Sequence, residues 1–503
     1  MFRLCVLVAL FISSCTTLNS ESPTTSQADE FATTIARIER TDPDSPAIPS
    51  VRLSYAEFLL GTEQGPCQQR LGRAQEEVDR VEAMLQARVM FPDGWARTAD
   101  LAYRLHLARA DCFTDPGRAA ELRAAVTAAA HASELYANTF DYHAAVIMHF
   151  NTAIILNQLG DAAAALTALQ STLAMDREYG FQDDAEENYR LLLTWQGQPA
   201  DSARVAALMQ DFPKRQAILK FAWRPGDSHV ALEETRENLW DGAVSRSRAA
   251  ASYERHISSD STGGWMVSYT QDPGQYQPGV WPELEGSQAV KLVFSPARMA
   301  ALNFKVSATG EFGGTIGADA LSVQLTDQTD AMIRAHVPAT TDDAGELTKQ
   351  ALDTTDVTLS SGLLGAEAAE NYQLETSMWA GANLDQGIWY RLSAPLSLHG
   401  LPRVVIQQRL EFAFTRRVPC AAGALEPSCV ELVVRTTPDQ GAVDGLINDY
   451  ASSTVTRIVV DPATLLAYSR EDRLYWYASV GGAHGDSILQ SEHLKSTTTY
   501  NTR

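Results

Sequence analysis

The apolar residues of this chain change their period once, near residue 215, and that change limits the fold more than any other feature. From 29 to 212 the chain is rich in Ala, Leu, Glu and Arg, and apolar residues recur at helical spacing. From 217 to 500 apolar and polar residues alternate with a period of two in several runs. The sequence therefore predicts an α+β protein with separate domains, a helical array followed by an antiparallel sheet.

The alternating runs place apolar side chains on one face of each predicted strand. Near the C-terminus, for example, Leu474 and Trp476 alternate with Arg473 and Tyr475. Such alternation is typical of antiparallel strands that are buried on one face only. Long strands of this kind commonly close or curl, so we expect an antiparallel sheet or a half-barrel.

One predicted helical hairpin resembles a known repeat. The residues around a Gly-Asp turn look like a tetratricopeptide repeat, in which that turn joins two closely packed helices. The resemblance implies packing or turn positions at Ala153, Leu156, Gly160, Asp161, Ala165 and Leu169. Ala162 and Arg177 depart from the repeat pattern, so an irregular helical array is the alternative. Repeats of this family usually bind peptides or proteins in a concave groove, although helix pairs can also be scaffold.

The cysteines outside the N-terminal segment form two candidate pairs. Cys420 and Cys429 stand nine positions apart between two alternating runs, where a disulfide would link the strands of a hairpin. Cys67 and Cys112 both fall in the helical region and would pair across adjacent helices, or else stay as two buried thiols. No CxxC motif occurs, so thioredoxin-like redox chemistry has no support.

The N-terminus has the pattern of an exported, lipid-modified protein. Arg3 precedes an apolar run at 4–12, which is too short to span a bilayer. The run ends in Ile-Ser-Ser followed by Cys15, which resembles the bacterial lipobox. The resemblance implies a signal peptide at 1–14, acyl chains such as palmitate on Cys15, a polar tether at 15–28, and an outer-membrane location facing the periplasm. The alternative is an ordinary signal peptide with an incidental cysteine.

Charge and motif searches exclude several functions. The chain has 40 basic and 62 acidic residues and a net charge of −22, which argues against nucleic-acid binding. It has no GxSxG elbow, no phosphate-binding GxxxxGK[ST] loop and no HExxH zinc helix. We therefore expect no cofactor and no metal, and these motifs give no sign of an enzyme, although a hydrolase with an unrecognised site stays an alternative.

The order of the predicted elements is similar to that of bacterial lipoproteins with a half-barrel sheet, in the style of periplasmic lipoprotein carriers. The motif FAWRPG at 221–226, the cysteine hairpin and the segment 459–466 support this resemblance. Three hypotheses follow. The first is a membrane-anchored module whose repeat-like helices bind or scaffold a protein partner in the envelope. The second is a carrier that holds an acyl-chain ligand on the concave face of the sheet. The third is an envelope hydrolase with an unrecognised site.

Overall fold

A computed structural model describes most of the helical region and most of the sheet. The described residues are 25–41, 47–62, 66–87, 92–210, 212, 216–240, 243–271, 302–324, 326–327, 360–398, 401–420, 427–439, 450–481 and 487–502. The predicted signal peptide, Cys15 and most of the predicted tether lie outside these ranges. The first described helix begins at Thr25, within the tether predicted at 15–28. Ser and Thr at a helix start are favoured as caps, so their abundance there does not imply an extended chain.

The N-terminal part is a series of helices that pack against their neighbours in chain order. Their bounds are α1 (Thr25–Thr41), α2 (Ala47–Gly61), α3 (Cys67–Ala87), α4 (Pro92–Cys112), α5 (Gly117–Asn138), α6 (Tyr142–Gln158), α7 (Ala162–Tyr179), α8 (Gln182–Trp195) and α9 (Ser202–Met209). Fully buried leucines and alanines fill the space between them, among them Leu71, Ala74, Ala125 and Ala129. Small side chains allow the helices to approach closely, which explains the alanine-rich composition of this region.

The C-terminal part is built mainly from strands, together with helix α10 (Ser361–Glu375), a 3-10 turn (Ser377–Trp379) and a short helical stretch at 318–324. The strands are β1 (Gln216–Ile218), β2 (Gly226–Trp240), β3 (Ala243–Ser259), β4 (Trp265–Gln271), β5 (Asn303–Val306), β6 (Phe312–Ile316), β7 (Asn383–Asp385), β8 (Trp389–Leu398), β9 (Leu401–Pro419), β10 (Ser428–Pro438), β11 (Tyr450–Val460), β12 (Ala467–Gly481) and β13 (Ser487–Thr502).

Eleven of these strands form one antiparallel sheet in the order β6-β5-β4-β3-β2-β13-β12-β11-β10-β9-β8. β1 and β7 form a separate antiparallel pair. Within the described residues β6 and β8 are the two edges and do not pair with each other, so the sheet is open and is not a closed barrel. The predicted fold class, α+β with helices first and a large antiparallel sheet second, is confirmed.

The central strands are buried on both faces, which differs from the single buried face that the alternation predicted. On β10, Val430 and Leu432 pack in a cluster with Trp379, on what we call the inner face. Val433 points the other way, toward Phe140 and the helices, on what we call the outer face. The alternation of apolar and polar residues could not reveal the contact between the outer face and the helices, because charged and aromatic side chains make much of that contact.

Two disulfides link neighbouring elements. Cys67 at the start of α3 is bonded to Cys112 at the end of α4. Cys420, just after β9, is bonded to Cys429 of β10. The structure thus has the disulfide rather than the two buried thiols that were the alternative for the helical pair.

Candidate functional site

The repeat-like residues all lie in the α6–α7 hairpin. Ala153 and Ala165 are fully buried, as is Leu169, whereas Leu156 is half-buried. Gly160 has a φ of +80°, a left-handed conformation that glycine adopts without strain. Next to it, Asp161 caps α7, since its Oδ1 accepts a hydrogen bond of 3.0 Å from the N–H of Ala164.

The helical hairpins are longer than tetratricopeptide repeats. They begin at Ala47, Pro92, Tyr142 and Gln182, so their spacing exceeds the roughly 34 residues of that repeat. The resemblance therefore stays a prediction carried by α6 and α7. Among the large apolar residues of described helices α1–α9, Leu208 alone is exposed, at 37%. A peptide groove on this surface would have to be polar.

Four arginines on adjacent strands attach the helices to the outer face of the sheet. We call this set the arginine row, and it consists of Arg416 on β9, Arg435 on β10, Arg457 on β11 and Arg473 on β12. Arg416 is paired with Glu178 of α7 and lies 5.4 Å from the ring centre of Tyr142. Arg435 is 3.3 Å from the carboxylate of Asp141. Each arginine thus combines a cation–π contact with an ion pair or hydrogen bond.

Phe140, in the turn between α5 and α6, contacts three arginines of the row. Arg473 and Arg457 lie 4.7 and 5.8 Å from the centre of its ring, and Arg435 donates to its carbonyl oxygen. Beneath the row, the fully buried Glu431 accepts from Arg457 at 2.7 Å. A buried carboxylate needs such partners, so the junction is a connected charge network.

A small crevice lies beside the row. Its volume holds about one water molecule. Gly387 forms part of its wall and has a φ of +80°; a Cβ there would lie 2.9 Å from the carbonyl oxygen of Tyr179. This crevice is too small for an acyl chain. Its lining residues are Tyr142, His143, Tyr179, Phe181, Gly387, Trp389, Ala413 and Thr415.

Titratable groups link α6, α7 and α8 behind this crevice. His143 on α6 is 2.9 Å from Asp184 on α8, and that hydrogen bond raises the pKa of His143. Asp176 on α7 is fully buried, and one of its oxygens accepts from Asn188 at 2.7 Å. Burial raises the pKa of Asp176 to about 7. His149 bonds to Thr172 instead of joining His143, so these two histidines do not form a metal site.

The inner face of the sheet carries a band of paired charges in its middle. On β2, Arg236 is 3.0 Å from Glu234 and 3.1 Å from Glu492 of β13. Glu492 also accepts from the indole N–H of Trp476 at 2.9 Å. These side chains are largely buried and already have partners. The face that the carrier hypothesis assigned to an acyl chain is therefore partly polar.

Helix α10 covers a second group of charges on the same face. Arg470 bonds to Asp472 at 2.7 Å and to the side-chain oxygen of Asn371 on α10 at 2.7 Å. Tyr500 donates to Glu375 of α10 at 2.9 Å. Burial raises the pKa of Glu370 to about 7, and the adjacent Glu367 acts in the same direction. The helix is thus docked on the sheet by polar contacts.

Exposed large apolar residues gather at one open edge of the sheet. Ile388 is 52% exposed, Leu392 39% and Val405 58%. Ile388 directly precedes β8, Leu392 lies on β8, and Val405 lies on the adjacent strand β9. In the part of the chain that the structure describes, β8 pairs only with β9. We call this surface, made by β8 and the exposed side chains of β9, the β8 edge.

Searches for other kinds of site gave no result within the described ranges. No group of three or more His, Cys, Asp or Glu residues could hold a metal ion there. None of the described helices is long and apolar enough to cross a membrane. His484, beside Asp486 and Ser487 in a glycine-rich segment, lies outside the described residues.

Comparisons with known proteins add little. Protein-family models and characterised proteins gave no match to this chain. Among solved structures, the chain is similar to one titled lipid–protein interactions in lipovitellin, with 10% identity and a TM-score of 0.24. The alignment covers 56% of this chain and 25% of that one, so the chain spans about a quarter of its length. At this score the likeness supports no conclusion about function.

Sequence reasoning missed both the arginine row and the β8 edge. Arg435, Arg457 and Arg473 stand in three separate runs, and nothing in their spacing shows that the strands bring them together. The edge position of β8 depends on strand order, which alternation does not encode. Pro395 within β8 was the available signal, because proline in a strand indicates an edge.

Proposed function

We propose that this protein is a membrane-anchored, periplasm-facing lipoprotein that binds a protein partner in the bacterial envelope. The supporting observation is the β8 edge, where Leu392 is exposed on the inner face and Val405 on the outer face, beside a strand that pairs only with β9 within the described residues. Apolar residues grouped at an open strand edge are a hazard unless a partner covers them. The binding surface in this proposal is the sheet edge, and the helical array acts as a support.

The arginine row suits such a scaffold. Ion pairs and cation–π contacts from four strands hold the α5–α6 turn and α7 against the outer face. A support of this kind keeps the edge in a fixed orientation relative to the helices. The N-terminal lipid on Cys15 would hold both beside the membrane.

The carrier hypothesis has less support. On the inner face, Trp476, Tyr450 and Ile406 are buried in one apolar cluster, and the neighbouring charges are paired. The crevice at the junction holds about one water molecule. Neither this cluster nor the crevice offers an open apolar cavity of the size that an acyl chain needs.

Photo-crosslinking in cells tests the protein-binding proposal. A photoreactive phenylalanine analogue at Val405 of the full-length lipoprotein should give one adduct, whose second component mass spectrometry identifies reproducibly. The matched control carries the same analogue at Leu208, an exposed residue of α9. Absence of an adduct at Val405, or the same adducts at both positions, would count against the proposal.

Metabolic labelling with palmitate tests the anchor separately. The wild-type protein should take up the label and fractionate with the outer membrane. Cys15→Ser should lose both properties, because serine lacks the thiol that is acylated. Labelled Cys15→Ser protein would show that the lipobox resemblance is misleading.

A further inference from the structure

Within the described residues, one hydrogen-bonding side of the β8 main chain has no partner strand, and the residues on that side can be identified from the adjacent strands. The N–H of Asp439 donates to the carbonyl oxygen of Gln407, at 3.2 Å, so the main chain of Gln407 faces β10. Alternate residues of an antiparallel strand bond to opposite neighbours. Leu410 of β9 therefore faces β8, where its partner is Leu392. It follows that the N–H and C=O groups of Arg391 and Ser393 point away from β9.

Pro395 agrees with this assignment. It has the same parity as Arg391 and Ser393, so its missing N–H lies on the free side of β8, where proline costs no ladder hydrogen bond. A strand added at this edge would find main-chain donors at 391 and 393 and none at 395. The usable edge is thus short and has a defined end.

The side chains along the edge differ between the two faces. Leu392 is on the inner face with its neighbours Tyr390 and Leu396, which pack against the inner core. On the outer face, the side chains of Arg391 and Arg409 are 73% and 60% exposed. Both approach the single carboxylate of Glu411, at 2.7 and 4.0 Å. One positive charge at this edge is therefore not balanced by that carboxylate.

A second copy of the chain does not suit this edge. Two copies would each have a net charge of −22 and would bring two sets of arginines together. Like charges on neighbouring strands are destabilising. Arg391 and Pro395 are also typical of edges that discourage self-association, while they leave an acidic strand free to bind.

We infer that the β8 edge binds an extended peptide segment of the partner as an added strand, and that this segment alternates apolar with acidic side chains. Its apolar residues cover Leu392 on the inner face, and its carboxylates meet Arg391 and Arg409 on the outer face. This inference rests on the proposed protein-binding function and names the chemistry of the partner.

Peptide binding to the full-length protein in detergent tests the inference. The probe is a fluorescein-labelled ten-residue peptide of alternating valine and glutamate, and the comparison peptide has lysine in place of glutamate. Fluorescence anisotropy should show the glutamate peptide binding at least about tenfold more tightly. Methylating alternate main-chain nitrogens of the glutamate peptide should abolish binding for one set of positions and spare it for the other, because only one set faces β8.

Variants of the protein provide matched controls. Arg391→Glu combined with Arg409→Glu should reverse the preference between the two peptides, while Arg190→Glu on α8 should leave it unchanged. Ser393→Pro, which removes an outward N–H, should weaken binding, whereas Ser393→Ala should not. Equal binding of both peptides would overturn the charge assignment, and binding of both methylated sets would overturn strand addition. If neither peptide binds but the adduct at Val405 still forms, this inference fails and the proposed function stands.

Discussion

Phe140 combines an unfavourable backbone conformation with favourable side-chain contacts. Its φ of +60° is left-handed, which is uncommon for a residue with a bulky side chain. Its buried ring packs against the guanidinium groups of Arg457 and Arg473. The contacts between the turn and the sheet hold a conformation that the isolated turn would disfavour.

Two substitutions of Phe140 should separate these effects. Phe140→Ala loses the ring and keeps the strained backbone, with an expected cost of about 3–5 kcal/mol in unfolding free energy. Phe140→Gly loses the same ring but relieves the strain, so it should be more stable than the alanine variant by about 1 kcal/mol. Urea unfolding measures both. At a position without strain, an alanine variant is more stable than a glycine variant. If Phe140→Ala proves more stable than Phe140→Gly, the backbone at this position is not strained.

Asp176 makes the stability of the helices depend on pH. Its pKa of about 7 in the folded protein lies above its ordinary value, so the folded state binds the proton more tightly than the unfolded state. The resulting stabilisation is complete below the unfolded pKa, near 4, and is lost as the pH rises through about 7. The pKa of His143 is also raised, which acts in the same direction.

The melting temperature of the wild-type protein should therefore decrease as the pH is raised from 5.5 to 8. Asp176→Asn, which can still accept from Asn188, mimics the protonated carboxyl, so its stability relative to wild type should increase by about 2 kcal/mol between pH 5.5 and pH 8. Asp183→Asn, at an exposed position of α8, is the control. Circular dichroism melts at the two pH values provide the comparison, and parallel curves for wild type and Asp176→Asn would contradict the assignment.

At the scale of elements, the two disulfides close loops of different length. Cys67 and Cys112 are 45 residues apart, whereas Cys420 and Cys429 are 9 apart. In the chain-entropy model a longer loop gives a larger stabilisation, by about 1.4 kcal/mol for this ratio. Replacing both cysteines of the helical pair with alanine should thus cost more than replacing both of the hairpin pair. A larger loss for the hairpin pair, measured by urea unfolding, would show that packing around the buried Cys429 dominates.

Elements could be predicted where one local pattern determined them. The alternation of Leu474 and Trp476 with Arg473 and Tyr475 predicted a strand, and these residues lie in β12. The docking of α10 could not be predicted in this way. Its contacts join Asn371 to Arg470, 99 positions along the chain, and no local period records such a pairing.

At the scale of the whole molecule, the arginine row should make the helices and the sheet unfold together. Replacing Arg435 and Arg473 with methionine keeps much of the apolar stem but removes the ion pair with Asp141 and the contacts with Phe140. Calorimetry should then resolve two transitions where wild type shows one. Arg391→Met, on the same outer face but outside the junction, should keep a single transition. An unchanged single transition in the double variant would mean that apolar contacts alone couple the two parts.

The division into helices and sheet followed from the change of period, but the assembly of the two parts did not. Arg416 and Glu178 are paired although 238 positions separate them in the chain. Strand order is also invisible to alternation, although Pro395 is a local sign that its strand lies at an edge. The sequence-derived hypothesis therefore placed a protein partner on the helices, whereas the structure directs the proposal to an edge of the sheet.

The position of β13 has a consequence for the export that the proposed function requires. It comes after every other strand in chain order, yet it lies sixth of eleven, between β2 and β12. A chain that crosses a membrane from its N-terminus delivers both five-stranded halves before the strand that joins them. Until β13 emerges, β2 and β12 each lack the strand that they pair with in the folded protein, so they are exposed edges of two separate half-sheets. If the chain is exported as proposed, its secretion should therefore depend on periplasmic chaperones that shield strand edges, and the pairing of β13 with β2 and β12 should be a late step in folding.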